Sequence, residues 1–221
     1  DDLYTVYGPE ANSAQEHAGA LIINDAHLAL LPVRSLAGVF AYVTSMDVLA
    51  RLKRAATVVG VPLNWELPET QPSETEAWIN GNRLTGKENE VILNEVILEE
   101  FSFTANRGQA QLVETIGRWF AKNALLDPET HSEYAYFAQL LPESLCIVSN
   151  EAFRDFARYA TEVQTHIHLD ASKKTVIKGQ LWTAESLRCD SLLYVPVLAT
   201  RPRRVNSNIT DAESVLSKLE T

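Results

Sequence analysis

One apolar run broken by a proline constrains this chain's fold more than any other local feature. It reads Leu30-Leu31-Pro32-Val33-Arg34-Ser35-Leu36-Ala37-Gly38-Val39-Phe40-Ala41-Tyr42-Val43-Thr44. A strand is expected to end at the proline, with an arginine and a serine at the turn and a helix from Ser35 to about Arg54. Ser35 is placed to cap that helix by accepting from its free backbone N–H groups. Leu36, Val39, Phe40, Val43 and Leu49 follow at helical spacing and would bury one face. Arg34 then stands at a helix N-terminus, where backbone donors and the helix dipole favour an anion, a seat for phosphate. An ordinary capped helix with a solvated arginine fits the same spacing.

Charge narrows the partners. The formal net charge is −10 over 221 residues, against a freely diffusing nonspecific nucleic-acid binder, which needs a basic face. A subunit holding RNA on one local strip remains compatible with it. The two cysteines, Cys146 and Cys189, form no ligand-spaced pair, so a zinc site on them is not expected and a reducing, cytoplasmic setting is. No apolar run approaches the roughly 18 residues of a membrane span, and no membrane partner is expected.

Along the chain, 1–17 reads as a polar loop, 18–31 as a strand pair or one bent strand, and 61–86 as a polar surface excursion. Residues 91–104 read as one strand with an irregularity near Asn94-Glu95, and 109–125 as an amphipathic helix. A short buried strand follows at 145–148, then a helix capped by Asn150. A hairpin pairs 161–169 with 175–182, a strand covers 191–198, and a last helix starts near Asp211. Alternating helices and strands with one antiparallel hairpin predict an α+β fold with helices on one face of a sheet, of the ferredoxin-like or RNA-recognition-motif kind. The division expected is a core over 1–160 with a surface insertion at about 61–90, a hairpin over 161–190, and a return strand and helix start over 191–221.

Three constellations bear on chemistry. His166, His168 and Asp170 alternate on the hairpin and could share a face, so they could bind a divalent metal, as a hydrolase would. The bland reading is the polar face of a ribbon. Lys173, Lys174, Lys178 and Arg188 cluster near Trp182, with Arg201, Arg203 and Arg204 beyond. Cations beside an aromatic suit a phosphate backbone with a stacked base, and a solvated charged hairpin fits equally. His17, Asp25 and His27 match no standard metal spacing. No glycine-rich phosphate loop and no nucleophile elbow is present. A purely structural interaction module remains the third alternative.

The run Leu31-Pro-Val-Arg-Ser-Leu-Ala-Gly-Val-Phe-Ala-Tyr-Val-Thr resembles the signature of the RAMP-superfamily backbone subunit of type III-B CRISPR (Cmr) complexes. Gly8-Pro9 with Glu16-His17-Ala18-Gly19-Ala20-Leu21 resembles the loop before that family's first visible strand. Phe153-Arg154-Asp155-Phe156 with Ala160-Thr161-Glu162-Val163 resembles its third helix and strand entry. Ile167-His168-Leu169-Asp170 through Gly179-Gln180-Leu181-Trp182-Thr183-Ala184-Glu185 resembles its hairpin. The four pieces stand in the family's order and span nearly the whole chain.

The resemblance implies an RNA-recognition-motif-like core with a protruding hairpin thumb. It implies copies stacked along CRISPR RNA beside other effector subunits. Thumbs would displace base pairs of the guide–target duplex, and target RNA would be cleaved at regular intervals with a divalent metal, Mg or Mn. Carried onto this sequence, Arg34 and Ser35 would face the guide backbone. His166, His168, Lys173, Lys174, Lys178 and Trp182 would lie on the thumb and bind RNA. Ala37 replaces a frequent lysine, which weakens any phosphate contact there. The catalytic aspartate loop is expected before Asp1 and a glycine-rich loop after Thr221, so N- and C-terminal parts would be missing. No catalytic or metal-binding residue is assigned in this chain, and Asp1, Asp2 and Asp25 do not match the catalytic position.

Overall fold

The computed structural model describes residues 2–88, 91–169, 172–204 and 208–219. They divide into two compact units, one from 1–27 with 194–221 and the other spanning 28–193. Among the described residues no helix is long and apolar enough to cross a membrane.

The larger unit is built on one mixed sheet. Its strands are β2 (His27–Ser35), β3 (Val39–Ser45), β4 (Glu76–Ile79), β5 (Thr85–Glu88), β6 (Val91–Leu98), β7 (Phe101–Asn106), β8 (Leu145–Val148) and β11 (Leu192–Tyr194), after β1 (Leu21–Ile23) in the smaller unit. The spatial order is β11-β2-β3-β8-β4-β7-β6-β5, and Ser35 of β2 pairs back onto Leu98 of β6. That extra pairing closes six strands into a barrel-like ring. β3 and β8 run parallel, as do β4 and β7.

Strands buried on both faces read as unbroken apolar runs, and this explains Leu28–Leu31 and Leu145–Val148. One face carries Leu31, Val33, Val43, Ile79, Val96, Leu98, Phe103 and Cys146, which pack in one cluster with Phe153 and Phe156 of α5 (Asn150–Tyr159). Leu30, Trp78, Leu145 and Ile147 alternate with these and are also buried. α3 (Ala110–Asn123) packs on β4 and β8, and α4 (Ala135–Ser144) on α3 and β3.

Several local expectations change. There is no helix at Ser35: β2 runs through Pro32 to Ser35, a tight turn follows, and β3 returns. The helix α2 begins only at Met46 and ends at Val59. The apolar residues after Ser35 fit a period of two as well as 3.6. Ala41 and Val43 point into the closed sheet, and that burial selects the strand. Pro32 is tolerated within the short β2 ladder. Gly60 ends α2 in the left-handed region at φ 75°, with its own N–H and that of Val61 bonding back to the last helical turn.

The stretch read as a surface excursion supplies β4, seated between β7 and β8, with Trp78 and Ile79 buried. The single strand expected at 91–104 is the hairpin β6–β7, turning at Glu99-Glu100. Ser149, not Asn150, caps α5, accepting from Ala152 N–H at 3.1 Å. The Asn150 side-chain carbonyl instead accepts from the backbone N–H of Asp47, at the start of α2. α4 was not anticipated, because Pro142 within it breaks the helical signal.

The strands β9 (Glu162–Leu169) and β10 (Val176–Ser186) form a two-stranded sheet of their own within the larger unit. The smaller unit holds α1 (Asp2–Tyr7), β1 paired with β12 (Val197–Ala199), and α6 (Ala212–Leu216) around Val6, Ala20, Ile209 and Val215.

Candidate nucleic-acid interface

The β9–β10 hairpin gathers most of the side chains singled out in the sequence. Directly opposed residues share a face, so Leu181 with Ile167, Thr183 with Thr165 and Glu185 with Val163 make one side. Trp182 with His166, Ala184 with Gln164 and Ser186 with Glu162 make the other. The first side is largely apolar, and Val163, Ile167 and Leu181 are each at least half exposed. On the second, the His166 and Trp182 rings stack with centroids 5.4 Å apart and an interplanar angle of 19°. The register slips between Val176 and Leu181, around Gly179 at φ 82°. Such a bulge bends and twists a ribbon.

Lys173 and Lys174 lie exposed beyond the end of β9, Lys174 in the left-handed region at φ 56°. The two lysines, the half-exposed Trp182 and His166 therefore sit on one slender element, as the sequence implied. His168 is exposed on the face of His166. Lys178 belongs to β10, and the expectation for its side chain lies outside the described residues. Asp170 lies outside them too, so the expectation of a three-residue metal set His166–His168–Asp170 falls partly outside the described residues. Among the described residues no three of His, Cys, Asp or Glu converge to hold a metal ion. This covers His17, Asp25 and His27; the His27 ring leans on Tyr194 at 5.3 Å instead.

Arg34 and Ser35 stand elsewhere than at a helix N-terminus. Ser35 is buried, and its hydroxyl accepts from Gly38 N–H at 3.1 Å, bracing the β2–β3 turn. Its side chain is thus committed to the fold. Arg34 keeps 67% of its side chain exposed while it pairs with Glu99, donating from Nε to Oε2 at 2.7 Å and through a second close contact. The dipole argument for an anion seat at Arg34 falls away, because no helix begins there. What remains is an exposed cation held in one orientation by a carboxylate.

Sequence reasoning missed Glu99. It occupies the first central position of the β6–β7 turn at φ 51°. Its carboxylate, only 12% exposed, also receives Arg188 at 3.0 Å. Burial disfavours the charged form, but hydrogen bonds from the Arg34 side chain and backbone, then the charges of Arg188 and Arg34, outweigh it. The carboxyl is therefore held below its ordinary value. Arg188, grouped by sequence with the hairpin lysines, is in fact turned inward at the hairpin's base. Its Nε donates to the Ala160 carbonyl at 2.7 Å, just before β9 begins. The acidic pair Glu99-Glu100 between two apolar runs marks a turn in sequence, but nothing local reveals partners so distant in the chain. Arg201, Arg203 and Arg204 belong to the smaller unit.

No family model matches the chain. The CRISPR system Cmr endoribonuclease Cmr4 of Pyrococcus furiosus is 31% identical over 220 residues, covering 99% of this chain and 68% of that protein. A crystal structure of Cmr4 superimposes with a TM-score of 0.64 at 25% identity, over 99% of this chain and 68% of that one. Oligomeric Cmr4 from Pyrococcus furiosus gives 0.63 at 26% identity, over 98% and 67%. A chain of the type III-B Cmr-beta complex bound to cognate target RNA shares the fold at 16% identity, with a TM-score of 0.58 over 91% and 64%. With nearly a third of its residues identical along almost its full length, this chain belongs to the Cmr4 family, the RAMP-superfamily backbone subunits of CRISPR Cmr complexes.

Proposed function

We propose that this chain binds CRISPR RNA as a backbone subunit of a cytoplasmic type III-B effector, stacking with copies of itself and other subunits along the guide. The β9–β10 hairpin is the thumb of a ferredoxin-like, RNA-recognition-motif-like core, and it contacts the guide–target duplex. The observation that carries this reading is the 31% identity to a Cmr endoribonuclease along 99% of the chain, hairpin included. Three features of the molecule support it. The hairpin has its own sheet, its tip region is basic, and its sides offer flat or apolar surface. Lysines there can neutralise phosphates. The stacked His166–Trp182 pair gives a base a stiff platform, and exposed Ile167 and Leu181 suit a wedge between base steps.

Arg34 would supply a second phosphate contact, pre-oriented by Glu99. The whole protein would cleave target RNA at regular intervals with Mg or Mn. Among the described residues no ligand set fits such an ion, so no step through a metal is assigned to this chain. Its own part is to grip phosphate, orient the duplex and pry bases apart.

The test is a titration of the protein, alone and with its sibling subunits, against a single-stranded guide RNA at several salt concentrations. Each lysine that neutralises a phosphate adds about 0.7 to the slope of log K against log salt. Lys173→Ala with Lys174→Ala is expected to lower that slope by about 1.4. Salt-insensitive binding, or a slope untouched by the double substitution, refutes the interface.

A further inference from the structure

A two-stranded ribbon is marginally stable by itself in water, and its direction is set by whatever grips its base. Along β9 the side chains are mostly exposed, so packing on the barrel does little to orient the ribbon. The base is different. Arg188 follows β10 and Ala160 precedes β9, and the Arg188 Nε–H to Ala160 carbonyl bond ties the two ends together at 2.7 Å. The same guanidinium reaches Glu99 at 3.0 Å, with both side chains more than four-fifths buried. Glu99 is fixed from the other side by Arg34, whose side chain and backbone N–H both donate to it. Its own backbone N–H donates to the Arg34 carbonyl at 2.9 Å.

Glu99 also sits where glycine would be easier. It is the first central residue of a two-residue hairpin turn, at φ 51°, a position that favours glycine. A side chain held there against backbone preference is explained by its carboxylate, which joins Arg34 of β2 to Arg188 just beyond β10.

We propose that Glu99 and Arg188 form a latch that sets the direction of the β9–β10 hairpin on the barrel. They are positioning residues for the RNA-contacting arm. The significance of the latch rests on the reading of that arm given above, but the latch itself is measurable without RNA.

The experiment uses the full chain with Cys189→Ser and Thr175→Cys, an exposed position at the hairpin tip given no RNA contact, labelled with a fluorescent maleimide; Cys146 is buried and stays unlabelled. Time-resolved anisotropy then reads the segmental motion of the tip. Glu99→Gln is expected to raise the amplitude of that motion about twofold, and Arg188→Lys by less, since an ammonium keeps the charge but not the fork. Glu99→Gly separates positioning from general stability. It relaxes the turn while removing the carboxylate, so its thermal midpoint falls less than that of Glu99→Gln, while the tip loosens as in Glu99→Gln.

Tip motion unchanged in Glu99→Gly and Arg188→Lys overturns the latch, whatever happens to the midpoint; these variants decide should Glu99→Gln not fold. Tip motion that responds in a protein that does not bind guide RNA upholds the latch and refutes the functional reading. Normal RNA binding with unresponsive tip motion does the reverse.

Discussion

Gly117 lies buried in α3 where that helix crosses α4. A β-carbon built on it would stand 2.5 Å from Pro142 Cα, 3.2 Å from Pro142 Cβ and 3.3 Å from its nitrogen. Unstrained carbon contacts lie near 3.5–4.0 Å, so Gly117→Ala forces the helices apart by about 1 Å. Pro142 cannot yield by changing rotamer, because the obstructing atom is backbone. Overpacking of this kind costs typically about 1–3 kcal/mol, and a contact this short belongs at the upper end. Alanine recovers about 1 kcal/mol of helix propensity. The net expectation is a loss of about 2 kcal/mol, or roughly 4–8 °C in midpoint for a chain of this size. Urea unfolding followed by circular dichroism measures it, with Gly60→Ala as the control. Gly60 has nothing within 4 Å but sits at φ 75°, so it should lose only its backbone preference, about 1 kcal/mol. Gly117→Ala stabilised by its full propensity gain would refute the close crossing of α3 and α4.

Two further outcomes follow from ionisable groups. The Glu99 carboxyl is held below its ordinary value of 4.5, so its contribution to stability is complete above that pH and is lost as pH falls through the depressed value. The stability gap between the parent and Glu99→Gln should narrow below pH 4.5 in acid-titrated urea unfolding, and a gap constant down to pH 2 would exclude the ion pairs. Cys146 is fully buried with its thiol pushed up to about 12, while Cys189 is exposed. A disulfide reagent should therefore modify one thiol in the native protein and the second only in denaturant, and two fast thiols would contradict the buried β8.

Much of the architecture was legible where a pattern admitted one reading. The helix over 110–123 carries its stripe of Val113, Ile116 and Phe120, and the 145–148 strand its unbroken apolar run. The late hairpin was visible as two polar-apolar runs around a lysine-bearing turn. The segment after Ser35 was misread because its apolar residues satisfy two periods at once. Local spacing cannot decide between them, whereas closing the sheet on Leu98 can. β4 was hidden in a polar stretch because four residues suffice to fill a ring whose other members are supplied from afar.

The candidate interface divides the same way. Its lysines, histidines and tryptophan were readable because they are neighbours on one ribbon, and alternation along a strand fixes which of them share a side. The grip on that ribbon was not readable. Arg34, Glu99 and Arg188 come from three separated segments, and a charge has no sequence signature for its partner. Composition, periodicity and turn residues determine which pieces of chain extend or coil, because those preferences act over a few residues. Which pieces meet, and therefore which carboxylate holds which guanidinium, is decided only when the sheet closes and water leaves between them.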